Sequence, residues 1–403
     1  MPRLLLFGLP FLLAADWPQH LGPTRDGHSP ETGILRTWPK DGPAVMWKRD
    51  VGAGWAGPVV VAERLILFHR VGDEEVVECL DPATGTGRWK SAYRTRYVDQ
   101  FEFDNGPRAT PLIADARVFT LGADGDLHAW DLASGKELWG RNVNKDYRVP
   151  RGFFGVATSP VLAGGKLLVN VGAKGAGVVA FDPATGKEVW KASDDAVSYS
   201  SPVVAKVGGE ELAVFFTREG LLAISPAQGE VKFKYPFRPR AQASVSAMTP
   251  VVSGDRVFLS TAYQTGAVLL DLKAGKVEDV WQAADVLDCH YSTPILVKDH
   301  LYGIDGRQES RTATLKCVEW ATGKVRWSNA SFLCAALIYV DGLFLACPEN
   351  GDVVLFEANP GGYKELARAA VLSEPVRAIP ALAGGRLYVR DGKKFLALEV
   401  GKK

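Results

Sequence analysis

The phrase Asp182-Pro183-Ala184-Thr185-Gly186-Lys187-Glu188-Val189-Trp190 is one copy of a text that returns along the chain. It stands as Asp81-Pro82-Ala83-Thr84-Gly85-Thr86-Gly87-Arg88-Trp89 and as Asp131-Leu132-Ala133-Ser134-Gly135-Lys136-Glu137-Leu138-Trp139, with looser copies over 271–281 and 319–327. About thirty residues before each Trp comes a second phrase, a small or hydroxyl residue followed by Pro, at Pro58, Pro111, Pro160, Pro202, Pro250, Pro294 and Pro380. The first six of these prolines lie 42 to 53 residues apart. Self-similarity at that period constrains the fold more than any single residue does, because it demands a repeat architecture.

One repeat shows which architecture. The runs 158–162, 166–170, 178–182 and 187–190 are short and apolar or β-branched, and Gly-rich or Pro-Ala-Thr-Gly turns separate them. That is hairpin grammar. Four antiparallel strands in each unit, repeated, make a β-propeller, whose blades are apolar on both faces because neighbours cover both. Full units end at Trp89, Trp139, Trp190, Phe233 (in place of Trp), Trp281 and Trp327, and a weaker seventh runs from Ala336 to about Leu366. The eighth, from Pro380 to Glu399, has three strands and no Trp strand, whereas 44–48, containing Trp47, is a Trp strand with no blade before it. The expectation is an all-β, eight-bladed propeller of four-stranded antiparallel blades, closed by the N-terminal strand so that no sheet edge stays free at the closure. Seven blades is the alternative if the weak unit fails to form. Trp47, Trp89, Trp139, Trp190, Phe233, Trp281 and Trp327 are then expected to dock between blades.

The Asp-Xaa-Xaa-Thr-Gly-Lys-Xaa-Xaa-Trp phrase resembles the pyrroloquinoline quinone (PQQ) repeat. That repeat builds the eight-bladed quinoprotein dehydrogenases and their non-catalytic relatives, including the BamB-type outer-membrane assembly factors. The lead-in Asp16-Trp17-Pro18-Gln19 with 22–33 is similar to that of bacterial PQQ-like repeat proteins. The resemblance spans nearly the whole chain and implies the fold; function sits in a site grafted on the fold.

Residues 1–15 read as a signal peptide: Arg3 near the start, an apolar run Leu4 to Leu13, then Ala14-Ala15, too short to span a bilayer as a helix. Residues 16–403 read as one propeller domain: an extended lead-in 16–43, the closing strand 44–48 and blades over 56–399. No Cys lies near the N-terminus to take a lipid. The expectation is a periplasmic or secreted protein, soluble after cleavage, monomeric, and not inserted in a membrane. The net charge of +1, with both signs interspersed, argues against a nucleic-acid partner. Cys79 and Cys317 fall where other blades carry Ala and read as small buried residues. Cys347 should face Ala336 rather than Cys334, and Cys289 is the unpaired candidate.

Quinoprotein dehydrogenases hold calcium and PQQ with Glu, Asn and Asp, and the resemblance would carry that chemistry here. The loop carboxylates Asp99, Glu102, Asp104, Asp146, Asp194, Asp195, Asp285 and Asp288 have no spacing that selects a metal, and the six histidines form no ligating or nucleophile motif. His128 reads as a packed strand residue. No enzymatic activity, catalytic residue, metal or cofactor is therefore expected, and a PQQ- and Ca²⁺-dependent oxidoreductase is the alternative. A third reading is a propeller that binds a small ligand such as a sugar.

What remains is the surface. The residue three before each repeat's Pro gives Trp55, Arg108, Ala157, Tyr199, Ala247, Tyr291, Leu333 and Arg377. Trp, Tyr and Arg dominate binding hot spots, so Trp55, Arg108, Tyr199, Tyr291 and Arg377 are expected to ring one mouth of the channel. The rim is read from two loops of alternating aromatics and charges: Tyr93, Arg94, Arg96, Tyr97, Phe101 and Phe103, then Tyr147, Arg148, Arg151, Phe153 and Phe154. The favoured reading is an exported scaffold that holds a protein or peptide partner by these loops.

Overall fold

Each copy of the repeat folds into a hairpin pair in chain order, as blade three shows. Val161–Ala163, Lys166–Ala173, Ala176–Phe181 and Glu188–Ala192 pair antiparallel, each with the next. This arrangement comes from a computed structural model that describes residues 16–402 apart from 151, 243, 274 and 309–311. The expected signal peptide and the rim residue Arg151 lie outside the described residues. Blades one to six span 59–94, 112–142, 161–192, 203–236, 251–283 and 295–329. The weak seventh unit forms a complete blade, Ala335–Val340, Leu343–Pro348, Asp352–Glu357 and Glu365–Ala370. Blade eight takes Ala381–Ala383, Arg386–Arg390 and Lys394–Glu399 from the C-terminus and Val45–Asp50 from the N-terminus, with Trp47 opposite Ala397. The single helix among the described residues is Val143–Tyr147.

First strands of neighbouring blades touch one another, Val59–Val61 meeting both Leu112–Ala114 and Ala381–Ala383, so they line the axis. The strands Ala176–Phe181 and Leu343–Pro348 are buried along their whole length, which is why they read apolar without alternation. Outer strands such as Gly87–Arg94 alternate between exposed and half-buried.

Both repeated phrases have a physical reason. Asp182 Oδ1 accepts the backbone N–H groups of Ala184 and Thr185 at 3.0 and 2.8 Å, closing the turn that Gly186 completes at φ +67°. Trp139 of the preceding blade lies over that glycine and donates Nε1–H to Pro183 O at 3.0 Å. Trp47, Trp89, Trp190, Trp281 and Trp327 repeat the bond to Pro82, Leu132, Pro226, Trp320 and Asn359 at 2.9–3.1 Å. Trp47 makes it across the closure, onto blade one. Phe233, with no N–H to donate, packs against the apolar core of blades four and five. The hydroxyls before Pro160, Pro202 and Pro294 serve the axis. Thr110 N donates to Ser159 Oγ, Ser159 N to Ser201 Oγ and Thr249 N to Thr293 Oγ1 at 2.9–3.0 Å, each bond crossing to the next blade.

The lead-in is not merely extended. It crosses the channel and touches all eight blades. Trp17, buried, bridges Val60 of blade one, and Pro18 O accepts Ile113 N of blade two. Arg25 donates to Ser159 O and Pro160 O of blade three and Pro202 O of blade four. His20 bonds Thr249 of blade five, and His28 bonds Leu296 O of blade six. His28–Ser29 pairs parallel with Tyr339 and Val340 of blade seven, and Glu31 accepts the N–H groups of Gly384 and Gly385 in blade eight.

All five cysteines are buried and free, and Cys347 stands opposite Ala336 as the turn at Asp341-Gly342 requires. His128 is 9% exposed and stacks on Tyr93 and Trp130, with its pKa lowered by burial. Among the described residues no helix is long and apolar enough to cross a membrane.

Candidate functional site

Four antiparallel strands to a blade put two kinds of connection at each end of the ring. The Asp-Xaa-Xaa-Thr-Gly turns and the first-to-second-strand turns occupy one end. The other end carries the loops that join blades and the second-to-third-strand turns, and here a cavity of about 400 Å³ opens along the axis. Trp55, Arg108, Tyr199, Tyr291 and Arg377 all line it, with Ala157 and Ala247 of the same register. Leu333 instead lines an adjoining hollow together with Arg377.

Trp55 lies between two guanidinium groups. Arg108 Cζ stands 5.0 Å from its ring centroid and Arg377 Cζ 4.8 Å, within the range of cation–π attraction. Each arginine is held from behind by a carboxylate: Arg108 Nη2 donates to Asp99 at 2.7 Å, and Arg377 Nε to Glu349 at 2.8 Å. Asp99 is wholly buried and also accepts Phe101 N at 3.0 Å, so one carboxylate sets both the arginine and the 99–105 turn. Asp104 accepts Gly54 N at 3.1 Å and Gly106 N at 2.6 Å, tying that loop to the first blade. Asp195 bonds Lys234, and Asp288 accepts Gln264 N and Gly266 N. Asp99, Asp104 and Asp288 thus fasten backbone, whereas Asp195 holds side chains.

The rim divides. Phe101, Phe103, Phe153 and Phe154 line the cavity and stack among themselves, with Phe154 edge-on to Tyr199 at 5.7 Å and its N–H donating to the Tyr199 hydroxyl at 3.0 Å. Phe101 and Phe103 remain 48% and 53% exposed, large apolar rings left in solvent at the mouth. Arg96 and Tyr97 border a separate hollow outside the ring, Tyr97 lying under Arg108 at 5.3 Å. Four residues read as rim are elsewhere. Tyr93 points between blades one and two, stacked on His128 and donating to Glu75 at 2.5 Å. Tyr147 points between blades two and three, donating to Glu188 at 2.7 Å. Arg94 is exposed at the end of an outer strand, and Arg148 is exposed at the end of the helix. Strand alternation and the helical turn aim these side chains away from the axis.

The wall also holds residues that the single register did not reach. Tyr263 comes from the second-to-third-strand turn of blade five and Arg307 from the segment after the second strand of blade six, with Arg307 Cζ 4.3 Å from the Tyr263 ring centroid. The available signal was Tyr263-Gln264 in the turn where blades one and three have Gly72 and Gly175; the structure holds Tyr263 at φ +74°. His290 bonds Gln308 at 2.7 Å beside them. The floor is His20, from the lead-in. Burial, and next the charge of Arg25, hold its pKa well below the ordinary value, so the floor is a neutral imidazole. Beneath it Arg25 is 2% exposed, and its described hydrogen-bond partners are Gln19 Oε1 and backbone carbonyls, with no carboxylate among them. Burial pulls its pKa down to about 9.

Calcium with PQQ would need convergent oxygen donors. Among the described residues the wall of this cavity contains no Asp or Glu; beside guanidinium, imidazole and aromatic groups its side-chain oxygens are the hydroxyls of Thr110, Ser201 and three tyrosines and the amide of Gln308. No group of three or more His, Cys, Asp or Glu among the described residues could hold a metal ion. The donor set does not fit that cofactor.

Residues 72–329 match the family described as outer membrane protein assembly factor BamB. Curated relatives carry the same name. The protein of Burkholderia pseudomallei (strain K96243) is 23% identical over 355 residues, 85% of this chain and 86% of the relative. That of Moranella endobia (strain PCIT) is 23% identical over 264 residues, covering 62% of this chain and 64%, less than two thirds, of the relative. Among solved structures, BamB from Moraxella catarrhalis superposes with a TM-score of 0.66 at 14% identity, covering 88% of this chain and 99% of that one. Quinohemoprotein alcohol dehydrogenase from Comamonas testosteroni superposes with a TM-score of 0.67 at 15% identity, covering 96% and 81%. At such identities the structural likeness speaks for the fold.

Proposed function

The chain belongs to the family of the outer membrane protein assembly factor BamB, and from that premise we propose that it is an exported, non-catalytic scaffold that holds an extended protein segment at its funnel. The observation that carries the reading is the mouth of the cavity. Trp55 is clasped by Arg108 and Arg377 above a blind pocket of about 400 Å³, and Phe101 and Phe103 stand exposed beside it. A pocket of this size suits one or two side chains of an extended segment, because sites of roughly 300–1,000 Å³ bury a ligand of small-molecule size. Exposed aromatics around a polar anchor are the composition of a recognition surface. A wall without carboxylates supports a binding role over calcium–quinone chemistry. The partner is then a protein, the compartment extracytoplasmic, and the working unit a monomer.

The test uses an outer membrane β-barrel protein diluted from urea as the probe. Wild-type protein should bind it, and Phe101→Ser/Phe103→Ser should weaken binding about tenfold, the effect of removing central aromatic anchors, with an unchanged melting temperature. Equal affinity of the double variant and wild type would remove the funnel mouth from the function.

A further inference from the structure

We infer that the funnel selects extended segments that combine acidic and aromatic residues, the carboxylates meeting the arginines of the wall and the rings its aromatics; this rests on the scaffold reading above. Two unspent features of the cavity point to an anion. Arg108, whose side chain is 5% exposed, places three hydrogen bonds on Asp99, Asp104 O and Gly106 O, yet its Nε has no partner among the described residues. That N–H has no exposed surface and is out of a ligand's reach, so what Arg108 offers the cavity is its charge beside Trp55. Beneath the floor, Arg25 carries a charge into the hub with only carbonyl and amide oxygens around it, and the neutral His20 between it and the cavity does not cancel that charge. A cation buried without a counter-ion makes the space above it favourable for negative charge.

The aromatic half of the inference comes from the rings of the same wall. Tyr199, Tyr291 and Phe154 present rings to the same cavity, and Phe101 and Phe103 extend that surface out to solvent. Cations and rings are interleaved around the wall, Arg377 Cζ lying 5.7 Å from the Phe103 ring and Arg307 Cζ 4.3 Å from the Tyr263 ring, so an extended segment carrying both acidic and aromatic side chains matches it. A basic segment would meet Arg108 and Arg377 directly and be repelled.

Three hexapeptides with blocked ends, alternating Glu with Tyr, Gln with Tyr, and Lys with Tyr, are titrated into the full chain and followed by calorimetry. The Glu peptide should bind about tenfold more tightly than the Gln peptide, and the Lys peptide should bind most weakly. Replacing Arg377 alone would strand Glu349, so the paired variant Arg377→Gln/Glu349→Gln is used, which keeps the net charge and, with Arg108 and Arg25 retained, should cut the preference for Glu over Gln about threefold. Glu and Gln peptides binding equally would overturn the inference and leave the scaffold reading standing. Preference for the Lys peptide would overturn it in sign. A Glu preference that is undiminished in the paired variant would overturn the assignment to this cavity. Absence of binding by all three peptides would overturn the inference and the peptide-holding role together.

Discussion

At Gly186 a side chain would meet the indole of Trp139 2.6 Å away and would have to accept φ of +67°, whereas Gly175 sits at φ +70° with nothing within 4 Å. The two glycines separate two costs. Gly175→Ala should lose about 1 kcal/mol for left-handed backbone alone, and Gly186→Ala about 1–3 kcal/mol more for the overpacked tryptophan. Urea unfolding midpoints measure both, and equal shifts would contradict the docking role of the repeat. Glu75 is a second residue with a reading of its own. It is wholly buried between blades one and two, accepts from Tyr93 at 2.5 Å and Ala123 N at 3.0 Å, and burial raises its pKa to about 7. Because the folded state holds that proton more tightly than the unfolded chain, the contribution is fully present below about pH 4.5 and lost as pH rises through 7. Glu75→Gln removes the charge and keeps one acceptor, its amide oxygen for Ala123 N, with the NH2 donating to the Tyr93 hydroxyl oxygen. It should raise the melting temperature at pH 8 relative to wild type and flatten the pH 5–8 slope; a variant no more stable at pH 8 would contradict the buried charge. Nothing in the sequence marks Glu75, since Val76 and Val77 beside it look like any strand. Trp55, Arg108, Tyr199, Tyr291 and Arg377 were legible as a set because one register of the repeat holds them all.

The strands were readable for the same reason: the turn phrase and the Pro phrase punctuate every blade, and the mismatch between Trp47 and the C-terminal half-blade exposes the closure. The lead-in was not readable as a hub. It has no repeat counterpart, and Arg25 binds carbonyls of Ser159, Pro160 and Pro202, groups that every residue possesses and that leave no mark in a sequence. Loop tips fell between these extremes. Alternating aromatics and charges drew attention to both rim loops, but the pattern could not tell Phe101, at the mouth, from Tyr93, wedged between blades. The two N-terminal elements have separable roles. A chain beginning at residue 43 keeps the closing strand Val45–Asp50 and loses the hub, and should melt lower while remaining monomeric in size-exclusion chromatography. A chain beginning at residue 51 also bares Lys394–Glu399 as a free edge and should self-associate. Two monomeric species with the same melting temperature would contradict the ring closure.

Taken as a whole, the molecule is a closed ring of eight blades with asymmetric ends. One end is sealed by tight turns, docked tryptophans and the lead-in; the other presents an aromatic and cationic funnel whose loops are fastened by Asp99, Asp104 and Asp288. The central claim is that this open end is where a partner is held, and hydrogen–deuterium exchange tests it most directly, with a urea-diluted outer membrane β-barrel protein added to the full chain. Protection is predicted in 97–106, 152–157 and 288–292, with no change at the Asp-Xaa-Xaa-Thr-Gly turns around Gly85, Gly135 and Gly186. Protection confined to those turns or to the outer strands, with the funnel loops exchanging as before, would contradict it.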